Sequence, residues 1–212
     1  MKVALVGDIH GSAVVLDRAL ERADVVIQLG DWGVRPSHAP VSTKPIYFLD
    51  GNHERWRELK PLRDLEYPGE WVPGIKMLPR GYVLCLAGKR FLCMGGADSV
   101  DKAYQQENNH WSEQEQITGM QVIRALENTG PIDYMLTHTP PQSTIVKHFD
   151  PKVLQNFFGL PLWWTSPSAC AVEFLWERFG HPQLYCGHMH QSVTDERGVR
   201  VLNIGEILIL DL

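Results

Sequence analysis

The 212-residue sequence lacks several features that would define other protein classes. None of its four cysteines belongs to a C-x-x-C pair, which disfavours a zinc ribbon or a disulfide framework. We expect buried, reduced thiols instead. No apolar run approaches the roughly 18 residues of a membrane span, and the run in MKVALVGD is too short for a signal peptide. The sequence therefore predicts a cytoplasmic protein that is not inserted in a membrane.

The chain also lacks an excess of positive charge. Its 25 acidic residues outnumber 20 basic ones, which gives a net charge of −5. Such a chain is no general electrostatic trap for nucleic acid, although nucleic acid as a partner stays open. There is no internal repeat and no low-complexity segment. With 44% hydrophobic residues, the composition suits one globular domain covering residues 1–212.

Short apolar runs that end in glycine predict buried strands. KVALVG, DVVIQLG and PIYFLDG follow one another in the N-terminal half, and a helix with Ser12 as its N-cap separates the first two. This order is typical of a parallel α/β sheet. Further on, YVLCLAG and RFLCMGG predict a hairpin, residues 112–128 a helix, and IDYMLTH and QLYCG two more strands. The C-terminal stretch predicts strands joined by a turn at Arg197-Gly198.

Residues 139–168 interrupt this pattern with five prolines and a dense apolar stretch at 157–164, here called the 157–164 patch. Two interpretations stay open. The segment is either an irregular excursion that packs on the domain body, or a cap over a site or an oligomer contact. A homo-oligomer formed through the 157–164 patch is therefore one expectation.

Polar residues follow the predicted strands at the points where the strands end. The candidate ligands are Asp8 and His10, Asp31, Asn52, His138, and His188 with His190. Because ligand sites in open α/β sheets lie beyond the carboxyl ends of the strands, we expect these five ends of one sheet to converge. Aspartate, asparagine and histidine side chains together form a set of metal ligands.

The five blocks resemble the motifs of the calcineurin-like metallophosphoesterase superfamily, D-x-H, GD, GNH[D/E], H and GH-x-H, which occur here in the same order between residues 8 and 190. The resemblance implies a four-layer α/β/β/α sandwich with two mixed sheets flanked by helices. It also implies two divalent metal ions as cofactors. Manganese is the first expectation, with iron, zinc, nickel or cobalt as alternatives.

The resemblance also assigns roles to the ligands. Asp8, His10 and His190 would hold one metal ion, and Asn52, His138 and His188 the other. Asp31 would bridge the two. A hydroxide between the metals would then attack phosphorus directly, without a covalent enzyme intermediate.

Residues next to the ligand blocks are candidates for supporting roles. By resemblance, His53 would steady the phosphoryl group or protonate the leaving oxygen. Glu54 and Asp50 could hold an imidazole in place, although for Asp50 we favour a solvated loop carboxylate. Trp32 and Trp111 could stack a base or simply pack.

The second block departs from one branch of the superfamily. Protein Ser/Thr phosphatases read GD-x-V-D-R-G there, whereas this chain reads GDWGVR, so the arginine that grips a phosphomonoester is not in register. This favours a phosphodiesterase for small or nucleotide substrates, with cyclic nucleotides as one candidate. The alternatives are a phosphomonoesterase of small metabolites and a catalytically silent metal-binding scaffold. Arg55, Arg57 and His148 are candidate substrate contacts, and for the two arginines an ordinary solvated helix face is the alternative.

Overall fold

The computed structural model describes residues 1–63, 65–108 and 110–212. Its strands are β1 (Lys2–Val6), β2 (Val25–Gln28), β3 (Ile46–Phe48), β4 (Gly69–Val72), β5 (Ile75–Met77), β6 (Tyr82–Leu86), β7 (Lys89–Met94), β8 (Tyr134–Thr137), β9 (Gln183–Cys186), β10 (Val193–Asp195), β11 (Val199–Val201) and β12 (Ile207–Asp211). Its helices are α1 (Ala13–Arg22), α2 (Trp56–Arg63), α3 (Lys102–Glu107), α4 (Gly119–Leu126), α5 (Gln142–His148), α6 (Pro151–Phe158) and α7 (Pro167–Arg178). Among these described helices, none has both the length and the apolar character needed to cross a membrane.

The strands form two mixed sheets of the same design. The first has the order β12-β1-β2-β3-β5-β4 and the second the order β10-β11-β9-β8-β7-β6. In each sheet four parallel strands are flanked by an antiparallel strand at either edge. The predicted pair of mixed sheets flanked by helices is confirmed, as is the hairpin of β6 and β7.

Alternating side chains along the strands divide the interior into three apolar layers. On β1, Val3 and Leu5 belong to the core that also holds residues of β7 and β8, so they lie between the sheets. Ala4 and Val6 belong instead to the core with residues of α1 and α2. A third core joins the other face of the second sheet to α4 and α7. Strands that bury both faces in this way give the predicted order of helix, sheet, sheet and helix.

The predicted helix at 112–128 is wrong in its first half. The α-helix begins only at Gly119, where Thr118 and Gln121 form a capping box, and residues 113–115 form a single 3₁₀ turn. Tertiary contacts explain the late start, because the Glu115 side chain is buried and bonded to Ser99. The short edge strand β4 was not predicted from the sequence at all.

Residues 139–168 contain more regular structure than their prolines indicate. They form α5, α6 and the start of α7, and Asp150 caps α6 by accepting a hydrogen bond from Lys152 N. In the 157–164 patch, Phe157 is 77% exposed and Trp163 is 81% exposed. Contact between copies of the chain through this patch stays a prediction.

The cysteines only partly match the expectation of buried thiols. All four are free, but Cys93 and Cys186 are buried whereas Cys85 and Cys170 are exposed. For the last two the predicted burial is wrong. Cys85 lies on the edge strand β6, where alternate side chains face away from the core.

Candidate metal centre

The predicted ligands converge where the ends of the two sheets meet. Asp8, Asp31 and Asn52 follow strands of the first sheet, whereas His138 and His188 follow strands of the second. The expectation that all five strand ends belong to one sheet is therefore wrong. The sheets pack face to face, and contacts cross between them: His138 Nε2 lies 3.3 Å from Asp31 Oδ1, and His188 N donates to Asp8 Oδ1 at 3.0 Å.

One group of ligands surrounds a single point. Asp8, His10, Asp31 and His190 each offer one ligand atom, and these atoms all lie within 4.8 Å of one another. His190 Nε2 is 3.1 Å from Asp8 Oδ2 and 3.0 Å from His10 Nε2. Two ring nitrogens at this distance must share a proton or face a common cation. The structure thus brings together the three ligands predicted for the first metal and the predicted bridge.

A second group lies on the other side of Asp31. The Nδ1 atom of His138 lies 2.8 Å from Leu29 O, and donation to that carbonyl leaves Nε2 with a lone pair. This Nε2 lies 3.1 Å from Asn52 Oδ1 and 3.3 Å from Asp31 Oδ1. The ring of His188 lies beside that of His138, with the two ring centroids 5.0 Å apart. Three acceptor atoms that face one another need a proton or a cation between them, so these residues fit a divalent metal.

Asp31 lies between the two groups. Its Oδ1 accepts hydrogen bonds from the backbone N atoms of Asn52 and His53, at 3.0 and 2.8 Å. Its Oδ2 is buried and has no hydrogen-bond partner among the described residues. An unpaired buried carboxylate oxygen is costly, and a bound cation would remove that cost. The atom therefore fits the bridging role, and the nitrogen and oxygen donors suit manganese, iron, zinc, nickel or cobalt.

The backbone is strained at the ligands. Six non-glycine residues in the described chain have positive φ, and four of them are candidate ligands: His10 at 42°, Asp31 at 55°, His188 at 70° and His190 at 52°. Left-handed backbone costs such residues on the order of 1–3 kcal/mol each. Strain concentrated at these positions indicates that the fold gives up stability to aim their side chains.

The electrostatics of the cluster favour a bound cation. Burial lowers the pKa of His138, but the Asp31 and Asp8 carboxylates outweigh burial and raise this pKa to about 10. The pKa of Asp31 is lowered despite its burial, because His138 stabilises the carboxylate. Burial and the adjacent His138 lower the pKa of His188 to about 4, which keeps its imidazole neutral and able to ligate.

Glu54 supports the loops of the site through their backbone. Its Oε1 accepts hydrogen bonds from Trp32 N and Gly51 N, both at 2.9 Å. Burial, followed by the charge of Asp31, raises the pKa of Glu54 to about 8. Glu54 thus ties the loop after β2 to the loop after β3, and among the described residues it accepts no hydrogen bond from an imidazole.

Asp50 does not behave as expected from the sequence. It is fully buried, and Arg80 Nε and Nη2 donate to its Oδ2 at 2.9 and 2.5 Å. The predicted solvated carboxylate is therefore wrong. Sequence reasoning missed this pair because Arg80 lies 30 positions away, in a segment without a recognisable motif.

An open cleft begins beside the second ligand group. A cavity of about 930 Å³, here called the His53 cleft, is lined in part by Asn52 and His53. Arg55, Arg57 and Trp111 line it as well. The His53 ring is exposed, with its centroid 5.7 Å from that of His10. Two of the three candidate substrate contacts therefore line the same cleft as the candidate ligand Asn52.

Two other candidates lie elsewhere. The polar contact of His148 is with Asp195, whose Oδ2 lies 3.3 Å from His148 Nε2. Trp32 is 1% exposed and stacks on Phe48 with ring centroids 4.6 Å apart, so it packs in the core and stacks no base. Sequence reasoning also missed Ser99, which accepts a hydrogen bond from Asn52 Nδ2. The small residues of GGADS after β7 were the only signal there.

Comparison with protein families agrees with this geometry. The family model for calcineurin-like phosphoesterases matches residues 1–192, whereas no curated protein matches the chain. Among solved structures 26 chains match. One is the crystal structure of a hypothetical protein from Thermus thermophilus, with 14% identity, a TM-score of 0.44, and coverage of 96% of this chain and 75% of that chain. Because the family match spans all the candidate ligands, the chain belongs to the calcineurin-like phosphoesterase family and is a metal-dependent phosphoesterase.

Proposed function

We propose that this chain hydrolyses phosphodiester bonds in small or nucleotide substrates, with two divalent metal ions, manganese first among them. The observation that carries the proposal is the position of Asp31. Its two carboxylate oxygens face different ligand groups: Oδ1 lies 3.3 Å from His138 Nε2 and Oδ2 lies 3.8 Å from His10 Nε2. One carboxylate shared by two groups is the arrangement that a dinuclear centre requires.

The bound metal ions would lower the pKa of a water nucleophile and neutralise charge on the phosphoryl oxygens. The residues of the chain itself position the reacting groups and supply a proton to the leaving oxygen. Asp31 fixes the His53 backbone through the 2.8 Å hydrogen bond from His53 N, and the imidazole is exposed and lines the cleft. From there His53 can donate a proton to the leaving oxygen.

The His53 cleft supports a diester substrate over a monoester. A phosphodiester carries a second substituent on phosphorus, and the cleft offers space for it directly beside His53. Arg57 and Lys60 add positive charge along the wall that α2 contributes. Arg55 already forms an ion pair within the protein, because its Nε donates to Glu58 Oε1 at 2.7 Å. We therefore propose Arg57 as the more available substrate contact.

Hydrolysis of model substrates tests the proposal. Purified protein with added manganese should hydrolyse bis(p-nitrophenyl) phosphate faster than p-nitrophenyl phosphate, and elemental analysis of the same sample should find two metal ions per chain. A faster rate on the monoester would instead indicate a phosphomonoesterase. Absence of activity with Mn, Ni, Co and Zn despite bound metal would reject catalysis.

The role of His53 has its own test. His53→Ala should lower turnover by about 10²- to 10⁴-fold, the range typical of a lost general acid, with the metal content unchanged. His38→Ala, at an exposed histidine outside the cluster, is the matched control and should retain full activity. Loss of metal from His53→Ala would show that the residue is a ligand.

A further inference from the structure

We propose that Ser99 and Glu115 position the side chain of Asn52 so that its oxygen, and not its nitrogen, faces the metal centre. The inference rests on the proposed function, because it takes Asn52 as a metal ligand. A carboxamide has two ends of almost equal shape, and only the oxygen can ligate a cation. Some contact must therefore select one orientation.

The structure provides that contact. Asn52 is 4% exposed, its Nδ2 donates to Ser99 Oγ at 3.1 Å, and its Oδ1 lies 3.1 Å from His138 Nε2. With the nitrogen engaged by Ser99, the oxygen points into the ligand group. A rotation by half a turn would instead present N–H groups to the cation.

The direction of the hydrogen bonds favours this orientation. Ser99 Oγ donates its single proton to Glu115 Oε2 at 2.6 Å, so toward Asn52 it can only accept. The other oxygen of Glu115 accepts from Ser99 N and from Trp111 Nε1, both at 2.9 Å. Burial raises the pKa of Glu115, whereas the hydrogen bonds from Ser99 and Trp111 lower it and stabilise the carboxylate. In that ionised form Glu115 only accepts hydrogen bonds, and so it sets the direction of the hydrogen bonds from Glu115 to Asn52.

The rest of the fold holds Glu115 in this place. Glu115 is 1% exposed, and Arg80 donates to its carbonyl oxygen at 3.1 Å and to that of Gln114 at 2.9 Å. The same guanidinium is paired with Asp50, two residues before Asn52. Arg80 thus joins the segment that carries Glu115 to the loop that carries the ligand.

Glu115→Gln is the sharpest variant because it changes polarity with little change in shape. The single oxygen of glutamine is needed by Ser99 N and Trp111 Nε1, so its amide would face Ser99 Oγ. The Ser99 hydroxyl would then donate toward Asn52 and favour the reversed carboxamide. We expect manganese binding at one of two sites to weaken by about 10- to 100-fold, the usual effect of losing such a supporting contact.

Ser99→Ala and Ser99→Thr complete the test. The alanine variant removes the acceptor for Asn52 Nδ2 and should weaken manganese binding at the same site. The threonine variant keeps the hydroxyl and should bind manganese as the unaltered chain does. Ser168→Ala is the matched control, because this buried serine also accepts a backbone hydrogen bond, from Ile117 N at 3.1 Å. The control variant should bind two metal ions. The readouts are calorimetric titration with manganese and elemental analysis after dialysis.

The outcomes separate this inference from the proposed function. If the unaltered chain binds fewer than two metals, the dinuclear proposal itself fails. If it binds two, and Glu115→Gln and Ser99→Ala bind two with unchanged affinity, the positioning role is overturned while the dinuclear centre stands. Should Glu115→Gln fail to fold, the difference between Ser99→Ala and Ser99→Thr decides.

Discussion

Gly51 lies directly against the carboxylate of Asp31. A methyl group at this position would overlap Asp31 Oδ1 and its backbone N, and would come within 2.8 Å of His138 Nε2. The loop after β3 and the ligands from β2 and β8 thus occupy space that only a glycine leaves free. This close approach is what allows Asp31 to contact the backbone N atoms of Asn52 and His53.

Gly51→Ala should therefore displace Asp31 and remove metal from the site. The overpacking should also lower the free energy of unfolding by about 1–3 kcal/mol, measured by denaturation in chelator. Gly119→Ala is the control, because a methyl group there meets open space at the start of α4. We expect the control to be neutral or stabilised by up to about 1 kcal/mol. Full metal content in Gly51→Ala would contradict the packing argument.

Metal binding should stabilise the fold. The buried Asp8 and Asp31 carboxylates lie close together, and a cation that binds only the folded chain adds about 2.7 kcal/mol at 100 times its Kd. Chelation should thus lower the melting temperature measured by calorimetry. Manganese should raise the melting temperature of the unaltered chain, and Asp31→Asn should lose most of that increase. Asp17→Asn, at an exposed carboxylate of α1, should keep it. Equal rises in both variants would argue against metal binding at Asp31.

The pair of Asp50 and Arg80 should be strongly coupled in stability. Arg80 is 1% exposed, so Arg80→Met leaves a buried charge on Asp50 and should cost about 3–5 kcal/mol in urea denaturation. Adding Asp50→Asn should recover part of that loss in a double-mutant cycle. Lys89→Ala breaks an exposed pair with Asp133 and should change the stability far less than Arg80→Met. If the losses in free energy of unfolding from Arg80→Met and Asp50→Asn simply add in the double variant, the coupling is refuted.

The stability contributed by Asp195 should depend on pH. Arg197 donates to Asp195 Oδ2 at 2.8 Å, and this bond holds the pKa of the carboxyl well below its ordinary 3.8. A lowered folded-state pKa gives stability that is present above the unfolded value and is lost as the pH falls through the folded value. Asp195→Asn should therefore lower the free energy of unfolding at pH 7, measured in chelator.

The gap between Asp195→Asn and the unaltered chain should narrow as the pH falls below the ordinary value of 3.8. Glu196→Gln, at a side chain that is 80% exposed, is the control and should leave the profile nearly unchanged. A gap that stays constant across the acid range would show that the ion pair is not its source.

The sequence by itself determined the identity and order of the candidate ligands. Asp8, Asp31 and Asn52 each stand just after an apolar strand, and this placement is a local property that a pattern can reveal. The central strands with their burial on both faces and the hairpin at Ala87-Gly88 follow from local patterns in the same way, whereas the edge strand β4 does not. The ligand motifs also pointed to the two mixed sheets.

Only the tertiary structure decided which distant groups meet. His138 reaches Asp31 because two separate sheets pack face to face, Arg80 pairs with Asp50 across 30 positions, and Ser99 reaches Asn52 across 47. No local pattern encodes such partners. The late start of α4 has the same origin, because the burial of Glu115 outweighs the helix propensity of its segment. Sequence thus supplied the donor atoms, and long-range packing oriented them.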